Sequence, residues 1–114
     1  MHNPGKPHIV ALKRTLRYLK TTADHGLVYD FSFDNTRTGK TGIYGYYDAS
    51  HADDVDTLKS TMGFVFFLEG CPIVWKSKVH SFLTTSTNHS EYCAAAKAAR
   101  EAKSLDLLMT EIGY

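Results

Sequence analysis

The stretch from Asn88 to Gly113, NHSEYCAAAKAAREAKSLDLLMTEIG, constrains the fold more than any other part of the chain. Its run of alanines carries no helix breaker before Gly113, and side chains this small let a helix lie close against a flat partner. Tyr92, Ala95, Ala99, Ala102 and Leu105 define the predicted packing side, and Asn88 is the predicted N-cap. The partner is supplied just upstream. GIYGYYDAS, STMGFVFFLEG and CPIVWKSKV are rich in aromatic and β-branched residues and read as strands. Glu69-Gly70-Cys71-Pro72 reads as a tight hairpin between the last two. Consecutive antiparallel strands followed by one long helix predict an α+β fold.

The first forty residues differ in character. Ile9, Leu12, Leu16 and Leu19 recur at helical spacing after Pro7, predicting an amphipathic helix over about 7–20. Lys6, Lys13, Arg14, Arg17 and Lys20 make this segment basic, with no acid among them. Gly26 marks its exit, a short strand is expected around Leu27 to Phe33, and DNTRTGKTG reads as a loop. At 114 residues one domain with a modest core is expected. A net charge of +1 excludes a bulk basic field, so any nucleic-acid binding has to rest on local charge. Cys71 and Cys93 suggest neither a zinc site nor a disulfide framework, which predicts a reducing, intracellular setting, cytoplasmic or nuclear. Neither a secretion signal nor a membrane-spanning run is expected.

Asp48 ends the first strand among aromatic residues, and Glu91 falls in the first turns of the long helix. Two such carboxylates suit Mg²⁺, which prefers oxygen ligands and keeps part of its water shell. Each has a plainer reading. Asp48 is also an ordinary strand end, and Asn88-x-x-Glu91 is also the spacing of a capping box. Asp53, Asp54 and Asp56 read as a solvated loop, because DASHADDVDTLK lacks the Gly and the final Glu of a calcium loop. His51 reads as a surface histidine or a proton shuttle. Lys59, Ser60 and Thr61 suit phosphate contact or the start of a strand. Trp75, Lys76 and Lys78 combine an aromatic with cations, useful against a nucleic-acid backbone; alternatively the lysines guard an edge and Trp75 enters the core.

Asp48, Lys59-Ser60-Thr61, Gly63, Val65-Phe66-Phe67-Leu68, Trp75-Lys76-Ser77-Lys78 and Glu91-Tyr92, in that order, resemble the ribonuclease H region of the Pol polyprotein of Ty1/copia-type retrotransposons. ALKRTLRYLKTTADHGLVYDF resembles the segment joining that region to the family's reverse transcriptase, so the likeness runs over essentially the whole chain. The resemblance implies an RNase H-like fold and two-metal hydrolysis of the RNA strand of an RNA–DNA hybrid. It makes residues 1–41 a connection segment and 42–114 a partial RNase H-like domain. It implies Asp48 and Glu91 as ligands of Mg²⁺ or Mn²⁺, while Lys59, Ser60, Thr61, Trp75, Lys76 and Lys78 are expected toward nucleic acid from their own chemistry. Ser50, His51, Asn88 and His89 depart from the family pattern beside the ligands. The family's third ligand follows the long helix, beyond Tyr114. From this we expect an incomplete fold, weak or no activity alone, and self-association through uncovered apolar surface. A non-catalytic binding module and an inactive remnant are the alternatives.

Overall fold

The structure is a computed structural model that describes residues 3–29 and 42–114. Its elements run α1 (Lys6–Thr21), β1 (Ile43–Ser50), β2 (Thr61–Leu68), β3 (Cys71–Val79) and α2 (Thr87–Glu111). The strands form one antiparallel sheet in the order β1-β2-β3, and α2 packs across β1 and β2. The α+β arrangement with a helix at each end is therefore as the sequence predicts. Residues 27–29 are irregular, and the remainder of the strand and loop expected up to residue 41 lies outside the described residues.

The β2–β3 hairpin turns on two residues, Glu69 at φ 47° and Gly70 at φ 81°. Paired positive φ values match the right-handed twist of the flanking strands. Pro72 follows in β3, where Phe67 faces Pro72 and Phe66 faces Val74, leaving Ile73 as an extra residue. That bulge, on an edge strand, is where a residue without an amide hydrogen is tolerated.

Alternation along the strands sorts the sheet into two faces. The inner face carries Met62, Phe64 and Phe66 of β2 and Ala49 of β1, all buried, against Ala94, Ala98 and Leu105 of α2. The outer face carries Tyr44, Tyr46 and Phe67, with Tyr44 and Phe67 stacked at 5.2 Å between ring centres.

The packed stripe of α2 differs from the predicted one. Ser90, Ala94, Ala98 and Leu105 are buried, while Tyr92 is 75% exposed. Tyr92 and Leu105 lie about 140° apart around a helix, so both cannot face one sheet. The alanines between them fit either choice, and Leu105 takes the core. Helix α1 has no buried residue and packs on no other described element. Among the described residues no helix is long and apolar enough to cross a membrane.

Candidate functional site

Asp48 is exposed near the end of β1 and pairs across the ladder with Gly63, which in turn pairs with Ser77. A Cβ at Gly63 would meet Lys76 O at 3.5 Å, an ordinary contact, so packing does not demand glycine there. Its bareness leaves the neighbouring carboxylate uncovered on the outer face.

Glu91 is half-buried in α2. The helix is capped by Ser86, whose Oγ accepts the His89 amide hydrogen at 3.1 Å, rather than by Asn88. The cap therefore falls two residues earlier than the sequence suggests, and Glu91 stands outside any capping box. Ala94 packs with Ala49 and Met62, and Glu91 lies three residues nearer the helix start on the same side. Because Ala98 and Leu105 continue over Phe64 and Phe66, α2 runs antiparallel to β1, and Glu91 projects beyond Ala49 toward the strand's C-terminal end. Alternation turns Asp48 to the outer face while its neighbour Ala49 touches the helix. The two carboxylates thus flank one close backbone crossing from opposite sides. Among the described residues no cluster of three or more histidines, cysteines, aspartates or glutamates stands ready for a metal.

The loop between β1 and β2 is tied down at its base. Ser60 is fully buried, its hydroxyl bonds that of Thr84 and accepts the Ala52 amide hydrogen at 3.0 Å, and its carbonyl accepts the His80 amide hydrogen at 2.8 Å. His51 Nδ1 reaches Thr84 Oγ1 at 3.0 Å and Ser60 Oγ at 3.4 Å. These bonds join the end of β1 to the segment entering α2, close to both carboxylates. Ser60 is thereby an internal tie, whereas Lys59 and Thr61 on either side are half-buried. Asp54 is a turn former: its Oδ1 accepts the amide hydrogens of Asp56 and Thr57 at 3.1 Å each. Those bonds, foremost from Thr57, hold its carboxyl below the usual carboxylate value.

Trp75 is 59% exposed on the outer face, opposite Val65 and one row from Asp48, and does not enter the core. Lys76 and Lys78 fall on the inner face, opposite Phe64 and Met62. The aromatic and the cations expected to act together are thus divided between two sides of the sheet. On the inner side the lysines meet Lys97 and Arg100 of α2, residues the sequence reading passed over. Their spacing of three on a helix, against the spacing of two on β3, was the available signal.

No family model matches the chain, and no solved structure matches it. Curated relatives do. The chain is 37% identical over 114 residues to the "Retrovirus-related Pol polyprotein from transposon RE2" of Arabidopsis thaliana, covering 99% of this chain and 7% of the polyprotein. It is 35% identical over 113 residues to the "Retrovirus-related Pol polyprotein from transposon TNT 1-94" of Nicotiana tabacum, covering 99% of this chain and 8% of that one. A "Secreted RxLR effector protein 161" of Plasmopara viticola is 39% identical over 100 residues, covering 88% of this chain and 66% of the relative. The chain spans less than a tenth of the two Pol polyproteins. Both Pol matches extend over 99% of this chain, which is a Pol-derived region of the copia-type retrotransposon family.

Proposed function

We propose that residues 42–114 belong to an RNase H-like domain that hydrolyses the RNA strand of RNA–DNA hybrids, and that residues 1–41 connect it to the reverse transcriptase portion of Pol. The observation that carries this reading is the crossing of β1 and α2. Ala49 and Ala94 are small enough to bring the two backbones together, with Asp48 one residue before the first and Glu91 three before the second. Packing needs neither carboxylate: Asp48 is exposed, and Glu91 caps nothing.

The donor chemistry fits Mg²⁺ or Mn²⁺. Mg²⁺ is commonly held by one or two carboxylates, with waters and substrate phosphates filling the other positions. Asp48 and Glu91 are the ligands this reading assigns, yet with Asp48 on the outer face and Glu91 on the helix side of β1 they do not face one ion as placed; brought to one side at the strand end, they would hold a metal that supplies an activated water and charge stabilisation at the leaving oxygen. The protein's own share is to fix the crossing, through the alanine contact and the Ser60–Thr84–His51 ties beside it. With two carboxylates and no third ligand beside them among the described residues, weak metal binding and slow turnover are expected. The setting is intracellular, cytoplasmic or nuclear, consistent with two unpaired cysteines.

The test is cleavage of end-labelled RNA in an RNA–DNA hybrid, with Mg²⁺ and with Mn²⁺, alongside Asp48→Asn and Glu91→Gln. Slow, metal-dependent cuts that vanish in both variants are expected. Cuts that persist in either variant, or none from a demonstrably folded chain, overturn the catalytic reading. The exposed Trp75 favours a second reading, a module that binds nucleic acid with strong salt dependence and no turnover.

A further inference from the structure

Because α2 lies over β1 and β2 and its backbone stays away from β3, Val74 reaches the core but Lys76 and Lys78, farther along the inner face of β3, are left exposed. A cleft of about 350 Å³ opens between α2 and β3. Lys76 and Lys78 line it from β3, Lys97 and Arg100 from α2, and no acidic residue lines it. None of the four cations is ion-paired among the described residues, where the sole salt bridge joins Lys103 and Asp106. Arg100 Nε donates to Ala96 O at 3.3 Å, which aligns the guanidinium along the helix and leaves its terminal nitrogens as donors.

A second observation comes from the cleft wall. His80, 6% exposed, lines the cleft, and its Nε2 is buried without a hydrogen-bond partner among the described residues. A buried polar atom left unbonded costs free energy unless something meets it. Tyr92, 75% exposed, stands at the rim, where an aromatic side chain offers a stacking face.

We propose that this cleft is a phosphate subsite, in which Lys76, Lys78, Lys97 and Arg100 grip backbone phosphates of a nucleic-acid strand beside His80. The assignment deepens the proposed function by giving the hybrid a holding point separate from the Asp48–Glu91 crossing. It explains why the β3 lysines turn away from Trp75 and why α2 carries two cations toward an open strand.

The test is fluorescence-anisotropy binding of a labelled RNA–DNA hybrid by the full chain across a salt titration, comparing wild type with the double variant Lys97→Gln/Arg100→Gln. Each phosphate released from contact lowers the slope of log affinity against log salt by about 0.7–0.9, so the double variant is expected to lose one to two units of slope. Lys103→Gln, on the same helix but outside the cleft, is expected to leave the slope unchanged. Both altered positions are at the helix surface, and circular dichroism checks that the variants remain folded. An unchanged slope in the double variant, or an equal loss in Lys103→Gln, overturns the subsite. Inorganic phosphate, followed through the His80 ring resonances, separates the sources: a response abolished by the double variant, with the hybrid slope unaltered, would assign the cleft to free phosphate and overturn the nucleic-acid proposal. Failure here is distinguishable from failure of the catalytic reading. A changed slope without cleavage leaves the subsite standing, and cleavage with an unchanged slope leaves only the Asp48–Glu91 site.

Discussion

Ser60 shows how a single small side chain can hold a loop. Its hydroxyl and carbonyl serve Ala52, His80, Thr84 and His51, which come from both sides of β2 in the chain. Ser60→Ala removes the shared partner and leaves buried polar groups unsatisfied, so a loss of about 1–3 kcal/mol is expected in urea unfolding. A loss within measurement error would mean that water replaces the hydroxyl. This role was not legible in Lys59-Ser60-Thr61, because the residues it bonds are distant in sequence. Asp54 was legible only as part of an acid cluster, though its spacing to Asp56 and Thr57 is that of an Asx turn. Its folded pKa is lowered, so its contribution is present above the ordinary value of 3.8 and is lost as pH falls through the lower folded value. Amide exchange should therefore show Asp56 and Thr57 protected down to mildly acidic pH and released only in strong acid. In Asp54→Asn, which keeps an accepting oxygen, that acid-driven release should vanish.

At the level of elements, the sheet and α2 meet through small residues at particular positions. Gly45 of β1 lies opposite Phe66 of β2, and a Cβ there would run into the Phe66 ring and sit 2.9 Å from Val65 O. Phe66 borders an open cleft with Ala102 and Met109, so its ring has room to turn, but the Val65 carbonyl is held in the β1–β2 ladder and cannot yield. Gly45→Ala is expected to cost about 1–3 kcal/mol through overpacking, read as a lower urea midpoint with an unchanged slope. A neutral result would show that the ladder gives way as well as the ring. Strand identity, hairpin position and helix length were all legible, because aromatic and β-branched runs, a Glu-Gly turn and an alanine run carry local signals. The helix face was not. Alanine has no preferred side, and only the incompatible placement of Tyr92 and Leu105 decides the rotation that brings Glu91 to the sheet side. The candidate site was legible as two residues, Asp48 and Glu91, but their approach from opposite sides of one crossing depends on that rotation. The cleft was half legible: Lys76 and Lys78 stood out beside Trp75, whereas their true neighbours belong to another element.

Across the whole molecule, α1 stands apart. Sixteen residues is marginal length for an isolated helix in water, and this one is started by Gly5 without a side-chain cap. Ile9, Leu12, Leu16 and Leu19 are each 46–56% exposed along one stripe, flanked by the basic residues. A helix in this state gains most of its stability from whatever covers the stripe, and among the described residues nothing does. Pairing of α1 with α1 from a second copy would cover both stripes while leaving the lysines and arginines in water, so helicity at 222 nm should rise with protein concentration. Leu12→Gln/Leu16→Gln should flatten that rise and reduce mass in sedimentation. The same variant should leave the unfolding of the sheet untouched, because α1 packs on none of its strands. Trp75, the single tryptophan, lies on β3 and reports that transition alone. If the double variant shifts the Trp75 transition, α1 contributes to the stability of the sheet after all. If helicity stays flat with concentration in the wild type, the apolar stripe has no affinity for its own copy, and a surface other than a second α1 must cover it.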